Sequence, residues 1–199
     1  MGDRYAARRR RKLEPQLNQY HSDMLEIRTA WFGAENDDTE LCRTLMREYA
    51  THLNAAVGGE HICVAGFEKE LEGLPGEYAE PGGTVLLAFF GGKPAGCVAL
   101  KPLHRGDESE PERACEMKRL WVRAEHQGSG IGRRLAEAVV EAARERGYAA
   151  MYLDTMPHSM QAAYALYRGM GFVPVDKYVE NPVLRDPEAL EVMYLRREL

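Results

Sequence analysis

The run Gln127-Gly128-Ser129-Gly130-Ile131-Gly132 limits what this chain can fold into more than any other segment. Before it lies a stretch, about Cys115 to Val122, that reads as a strand. After it comes Arg133 to Arg146, whose Leu135, Ala136, Val139, Val140 and Ala143 line one helical face. A strand, a glycine-rich turn and a helix start together make an anion-binding unit. The glycines let successive backbone N–H groups converge on one oxyanion, and the helix N-terminus adds partial positive charge. Arg133 and Arg134 strengthen that character. Two nucleotide motifs do not fit. The P-loop needs Gly-Lys followed by a hydroxyl residue, and no lysine stands here. The dinucleotide pattern GxGxxG fails in both registers, because Arg133 or Leu135 takes the third glycine position. The loop also comes too late in the chain for a fold that opens on its nucleotide fingerprint. What remains is Gln-x-x-Gly-x-Gly.

The elements around the loop follow from periodicity and breakers. Leu25 to Trp31 alternates as a half-buried strand. Asn36 to Thr39 offers a helix N-cap; Leu41, Leu45, Met46, Tyr49 and Leu53 follow at helical spacing, and Gly58-Gly59 stops the helix. Phe67 to Leu74 predicts a shorter helix. Thr84–Phe90 and Pro94–Leu100 flank Gly91-Gly92 as a hairpin. Beyond the glycine loop and its helix, Tyr148–Thr155 reads as a strand and Ser159–Met170 as a helix closed by Gly171. Phe172–Val175 and Leu190–Leu195 read as final strands. This order predicts one α/β (α+β) domain over residues 25–199, a mixed sheet flanked by helices, behind a basic tail over residues 1–24.

Composition narrows the partners. The net charge of −5 conceals six basic residues among the first twelve, so the remainder sits near −10. A body that acidic disfavours nucleic acid and suits a cationic or amine-bearing small molecule. The chain has no apolar run of membrane-spanning length, and the tail lacks the apolar stretch of a secretory signal. Cys42, Cys63, Cys97 and Cys115 are scattered and form no metal-ligand spacing. They predict buried reduced thiols in a cytoplasmic protein, with no metal.

With its two motifs in this order, the sequence resembles the GNAT superfamily of N-acetyltransferases. Gln127, Gly130 and Gly132 match its Arg/Gln-x-x-Gly-x-Gly/Ala signature. Ala163, Leu166, Tyr167, Gly171 and Phe172 match a helix end, Ala-x-x-Leu-Tyr-x-x-x-Gly-Phe, frequent in the family. The resemblance spans about residues 25–199. It implies a mostly antiparallel sheet with a splayed central strand pair that holds acyl-CoA. The acyl donor would be acetyl-CoA and the acceptor a primary amine. The amides of Gln127, Gly128, Ser129, Gly130, Ile131 and Gly132, with Arg133, would hold the pyrophosphate; the strand edge at Leu120, Trp121 and Val122 would pair with pantetheine. Tyr167 would protonate the leaving thiolate, and Glu116 would be the general base.

Each role has a plainer alternative. Glu116, with Lys118 two residues on, also suits a structural ion pair, and Tyr167 lies on the apolar face of its helix. His126 and His158 read as exposed loop histidines, while Tyr78 and Tyr178 are candidates to line an acceptor pocket. Met160 stands where many members carry an asparagine that contacts the cofactor. An acyl-CoA-binding module with little turnover, or transfer to a protein or aminoacyl-tRNA, stays open as an alternative. The resemblance leaves open whether the chain forms a homodimer.

Overall fold

Seven strands form one sheet in the order β1-β2-β3-β4-β5-β7-β6. They are β1 (Leu25–Thr29), β2 (Thr84–Phe90), β3 (Lys93–Leu103), β4 (Ala114–Val122), β5 (Ala150–Thr155), β6 (Val173–Val175) and β7 (Met193–Glu198). All neighbours are antiparallel except β4 and β5, which run parallel. The computed structural model describes residues 24–33, 37–58, 64–103, 113–178 and 191–199. Residues 1–23 of the predicted basic tail, Cys63, and residues 104–112 and 179–190 lie outside the described residues.

Helices α1 (Thr39–Val57) and α2 (Val64–Glu72) cover one face; α3 (Ile131–Glu145) and α4 (Gln161–Gly169) cover the other. The sheet is therefore buried on both sides. That is why β2 reads as an unbroken apolar run: Val85 and Leu87 pack under α1, Leu86 and Ala88 under α3. α3 buries Ile131, Leu135, Val139 and Val140 among others, each worth about 1.5–3 kcal/mol. α1 ends on Gly58, whose φ of 74° is the left-handed cap glycine provides. At its start, Asp38 spends its carboxylate on Arg28 of β1, at 2.7 and 2.9 Å, and on the Trp31 N–H rather than on a cap. It thus fixes α1 to β1.

Several strand boundaries differ from expectation: β3 runs on to Leu103 and β5 starts at Ala150, and β1 and β7 shift as well. β1 stops at Thr29, because Trp31 has turned away and is largely exposed. β7 lies at Met193–Glu198 rather than Leu190–Leu195. Its charged end is strand because β5 pairs with it through Ala150↔Glu198, and Arg196 donates to the Tyr152 hydroxyl across that pair at 2.9 Å.

Candidate active site

The glycine loop enters from β4 through a single turn of 3-10 helix, Ala124–His126. Gly128 and Gly130 take φ of 76° and 88°, a backbone region that costs side-chain-bearing residues energy. A Cβ at either would meet nothing within 4 Å. The glycines serve conformation here, and the space beside them is open. Gln127 is exposed, yet its amide Nε2 donates to the Val122 carbonyl at 3.0 Å, bracing the loop against the strand end. Ser129 similarly donates to the His126 carbonyl. The first-turn N–H groups of α3 have no partner within the helix and face out of its N-terminus. Arg133, half exposed, lies 3.7 Å from Glu137 and beside the end of α4.

Below the loop the sheet opens. β4 and β5 pair only at Ala114↔Ala150, Cys115↔Met151 and Glu116↔Tyr152, then part. The β4 edge from Met117 to Val122 therefore has no β5 partner. A bulge in β4 opposite Cys97–Ala99 accompanies this, with Arg119 in the left-handed region at φ 57°. Because of the bulge, Trp121 turns its indole toward α1, donating to Glu48 at 3.1 Å; Leu120 and Val122 pack on the α3 side. Only the main chain of residues 120–122 can serve the gap.

Glu116 sits at the apex of the gap and is 2% exposed. Its Oε1 accepts from Lys118 Nζ at 3.1 Å and from the Tyr178 hydroxyl at 2.8 Å; Lys101 Nζ lies 3.7 Å from Oε2. Lys118 also binds Asp154 at 2.9 Å. Burial works against the Lys118 ammonium, but Asp154 and Glu116 outweigh it and raise its pKa. Burial pushes the Tyr178 phenol up, and Glu116 adds to that. Tyr167 approaches from the opposite face. It is buried with α3 and α4, edge-on to Phe172 at 5.9 Å between centroids. Burial raises its pKa, with Tyr49 and Asp154 contributing, so it stays a neutral donor. A carboxylate on one face and a phenol on the other thus flank a strand edge without a β5 partner, whose far end meets the glycine loop.

Residues 39–172 match the model of the acetyltransferase (GNAT) family. The chain belongs to the GNAT family. An uncharacterised N-acetyltransferase of Schizosaccharomyces pombe is 30% identical over 81% of this chain and 89% of its own length. A GNAT-family acetyltransferase structure from Staphylococcus aureus superposes with a TM-score of 0.65 at 16% identity, covering 88% of this chain and 99% of that one. A GNAT-family acetyltransferase from Elizabethkingia anophelis, solved with acetyl-CoA bound, gives 0.56 at 18% identity, covering 89% and 99%.

In this GNAT acetyltransferase the sequence-predicted residues gather where the fold opens. Glu116 lies at the apex, Leu120, Trp121 and Val122 lie along the edge, and Gln127 to Arg133 close its end. Glu116 does make the ion pair its spacing from Lys118 suggested, since residues two apart in a strand share a face. Tyr178 meets Glu116 directly. Tyr78 instead is buried and donates to Glu70 at 2.7 Å. His158 is exposed and pairs with Glu191, whereas His126 is half-buried against Phe90 rather than fully exposed. Met160 precedes α4 and offers no side-chain cap.

Sequence reasoning missed Lys101, Asp154, Arg119 and Glu70. Arg119 reaches Glu70 with two N–H groups, at 3.0 Å from Nε to Oε1, and lies over the rings of Phe67 and Tyr49. No local pattern pairs residues of a helix and a strand that far apart. Among the described residues, no helix is long and apolar enough to cross a membrane, and no group of three or more acidic, His or Cys side chains could hold a metal.

Proposed function

We propose that this GNAT acetyltransferase moves an acetyl group from acetyl-CoA to the primary amine of a small molecule or peptide, by direct transfer within a ternary complex. The observation that carries the reading is the parting of β4 from β5 beyond Glu116 and Tyr152, with Glu116 and Tyr167 on opposite sides of the gap. The donor fits this chain. The space beside Gly128 and Gly130 is open, and the loop's amides suit a pyrophosphate; Arg133 and Arg134 add charge. The free edge of β4 suits the amides of pantetheine as an added strand would. When bound, acetyl-CoA supplies an activated acyl carbon.

The protein's residues supply the rest. Glu116 takes up the proton an ammonium must lose before its nitrogen can attack. Edge N–H groups of β4 stabilise the developing oxyanion. Tyr167 delivers a proton to the departing sulfur, and its burial excludes competing water. The acidic body, near −10 outside the first twelve residues, favours a cationic acceptor.

The test is CoA thiol release from acetyl-CoA over amino acids, polyamines, aminoglycosides and peptides. Tyr167→Phe is expected to lower kcat by about 10- to 100-fold with little change in KM for acetyl-CoA. Absence of thiol release with every amine would overturn the reading, and absence of CoA binding by calorimetry would overturn the choice of donor as well.

A further inference from the structure

Glu116 is the base in the reading above, yet no acceptor can reach it directly. Its side chain is 2% exposed, and among the described residues three groups bind it: Lys118, Lys101 and Tyr178. The two ammonium groups can donate a proton but have no lone pair to accept one. A phenol can do both. Like the two lysines, Tyr178 is half-buried. Its ring packs on Tyr152 at 4.8 Å, and Tyr152 is the β5 partner of Glu116 at the last position where β4 and β5 are joined. On its other side it meets Tyr194 of β7 edge-on at 5.4 Å. These contacts fix the hydroxyl on Glu116 Oε1 at 2.8 Å.

From this geometry, and resting on the acetyl-transfer reading, we infer that Tyr178 is a catalytic proton relay between the acceptor amine and Glu116. The acceptor's ammonium N–H bond breaks as a new O–H bond forms on Tyr178 Oη. In the same step the original Oη–H proton passes to Glu116 Oε1. The freed amine then forms its C–N bond to the acyl carbon as the C–S bond breaks. The second amine proton leaves to solvent, and Tyr167 gives its phenolic proton to the sulfur. After the products leave, Glu116 releases its proton to solvent through Tyr178, and Tyr167 takes one up from solvent. The charged and titratable groups facing this relay are Lys101 from β3, Lys118 from β4, Asp154 and Tyr152 from β5, and Tyr194 from β7, with Arg196 bound to Tyr152.

The experiment measures CoA release by the full chain with acetyl-CoA and spermidine, glycinamide or phenylethylamine, from about pH 6 to about pH 10. Tyr178→Phe keeps the ring contacts and is expected to lower kcat/KM by about 100-fold near neutral pH. The loss should shrink as pH rises and solution supplies the free amine. Glu116→Gln should show the same profile, and the double variant should be no slower than the slower single one, because the two act as a unit. A pH-independent loss, losses that multiply in the double variant, or an unchanged profile in Tyr178→Phe would each overturn the relay. Should Tyr178→Phe lose its fold by circular dichroism, Tyr178→His replaces it: partial activity with a new limb near the histidine range supports the relay, and none overturns it. If the wild type releases no CoA with these amines or with any other of the wider panel, the acetyl-transfer reading fails and the relay with it.

Discussion

Replacing Glu70 by leucine would leave the Arg119 guanidinium buried and unpaired. The side chains of Arg119 and Glu70 are 6% and 20% exposed, and the pair is bidentate, with the Tyr78 hydroxyl donating to the same carboxylate. Removing one partner of such a pair costs about 3–5 kcal/mol, because the remaining charge keeps its desolvation penalty. A domain of this size shifts its melting temperature by roughly 2–4 °C per kcal/mol, so a fall of about 6–20 °C is expected in thermal unfolding. Adding Arg119→Met should restore much of it, since apolar replacement of both partners is often neutral. Tyr78 then still lacks an acceptor, at about 1–3 kcal/mol, and Tyr78→Phe in the triple variant should recover that part.

Acid provides a second arm. Burial works to raise the Glu70 pKa, but the hydrogen bonds and charge of Arg119, together with the Tyr78 hydroxyl and the Lys118 charge, outweigh it and hold the carboxyl below its ordinary value. A depressed folded pKa contributes stability that is fully present above the unfolded value of about 4.3 and is lost as pH falls through the folded one. That acid-dependent term should be missing from Glu70→Leu. A single-variant loss below about 1 kcal/mol, the scale of a solvated surface pair, would refute the assignment. A double variant no more stable than Glu70→Leu would refute it as well.

Gly130→Ala should separate folding from donor binding. The left-handed φ costs about 1–2 kcal/mol, read as a drop of a few degrees in melting temperature, while the new methyl enters the open space and should weaken CoA binding at least tenfold by calorimetry. Gly96→Ala should act on the fold instead. Its Cβ would lie 2.3 Å from the Trp121 carbonyl, so pairing of β3 with β4 must shift, at a cost of about 1–3 kcal/mol in urea unfolding. Cys42 and Cys115 are pushed up to about 12 by burial and Cys97 is also raised; alkylation at neutral pH should label these three only after denaturation, as read by peptide mass mapping.

The parts of this protein that were legible in sequence rest on local chemistry. α3 was readable because Leu135, Ala136, Val139, Val140 and Ala143 recur at helical spacing and Gly147 stops the run. The glycine loop was readable because its φ values require glycine whatever surrounds it. Glu116 and Lys118 were readable as partners because two residues of a strand share a face. β7 was misplaced by three residues, since Arg196, Arg197 and Glu198 have poor strand character until β5 pairs with them. The bulge at Arg119 left no trace in the pattern, because an arginine in the left-handed region is held there by distant contacts.

By itself, then, the sequence determined the order of elements, the glycine-dependent turn of residues 127–132 and the two motifs that mark the family. Tertiary structure alone decided that β4 and β5 separate beyond Glu116, and that Glu116 is buried under Tyr178, 62 residues away. It also decided that α2 anchors the β4 bulge through a residue 49 positions from Arg119. The reason is physical: dihedral preference and periodicity are written into neighbouring residues, whereas burial, ion pairing and the end of a strand ladder depend on which distant segments arrive together.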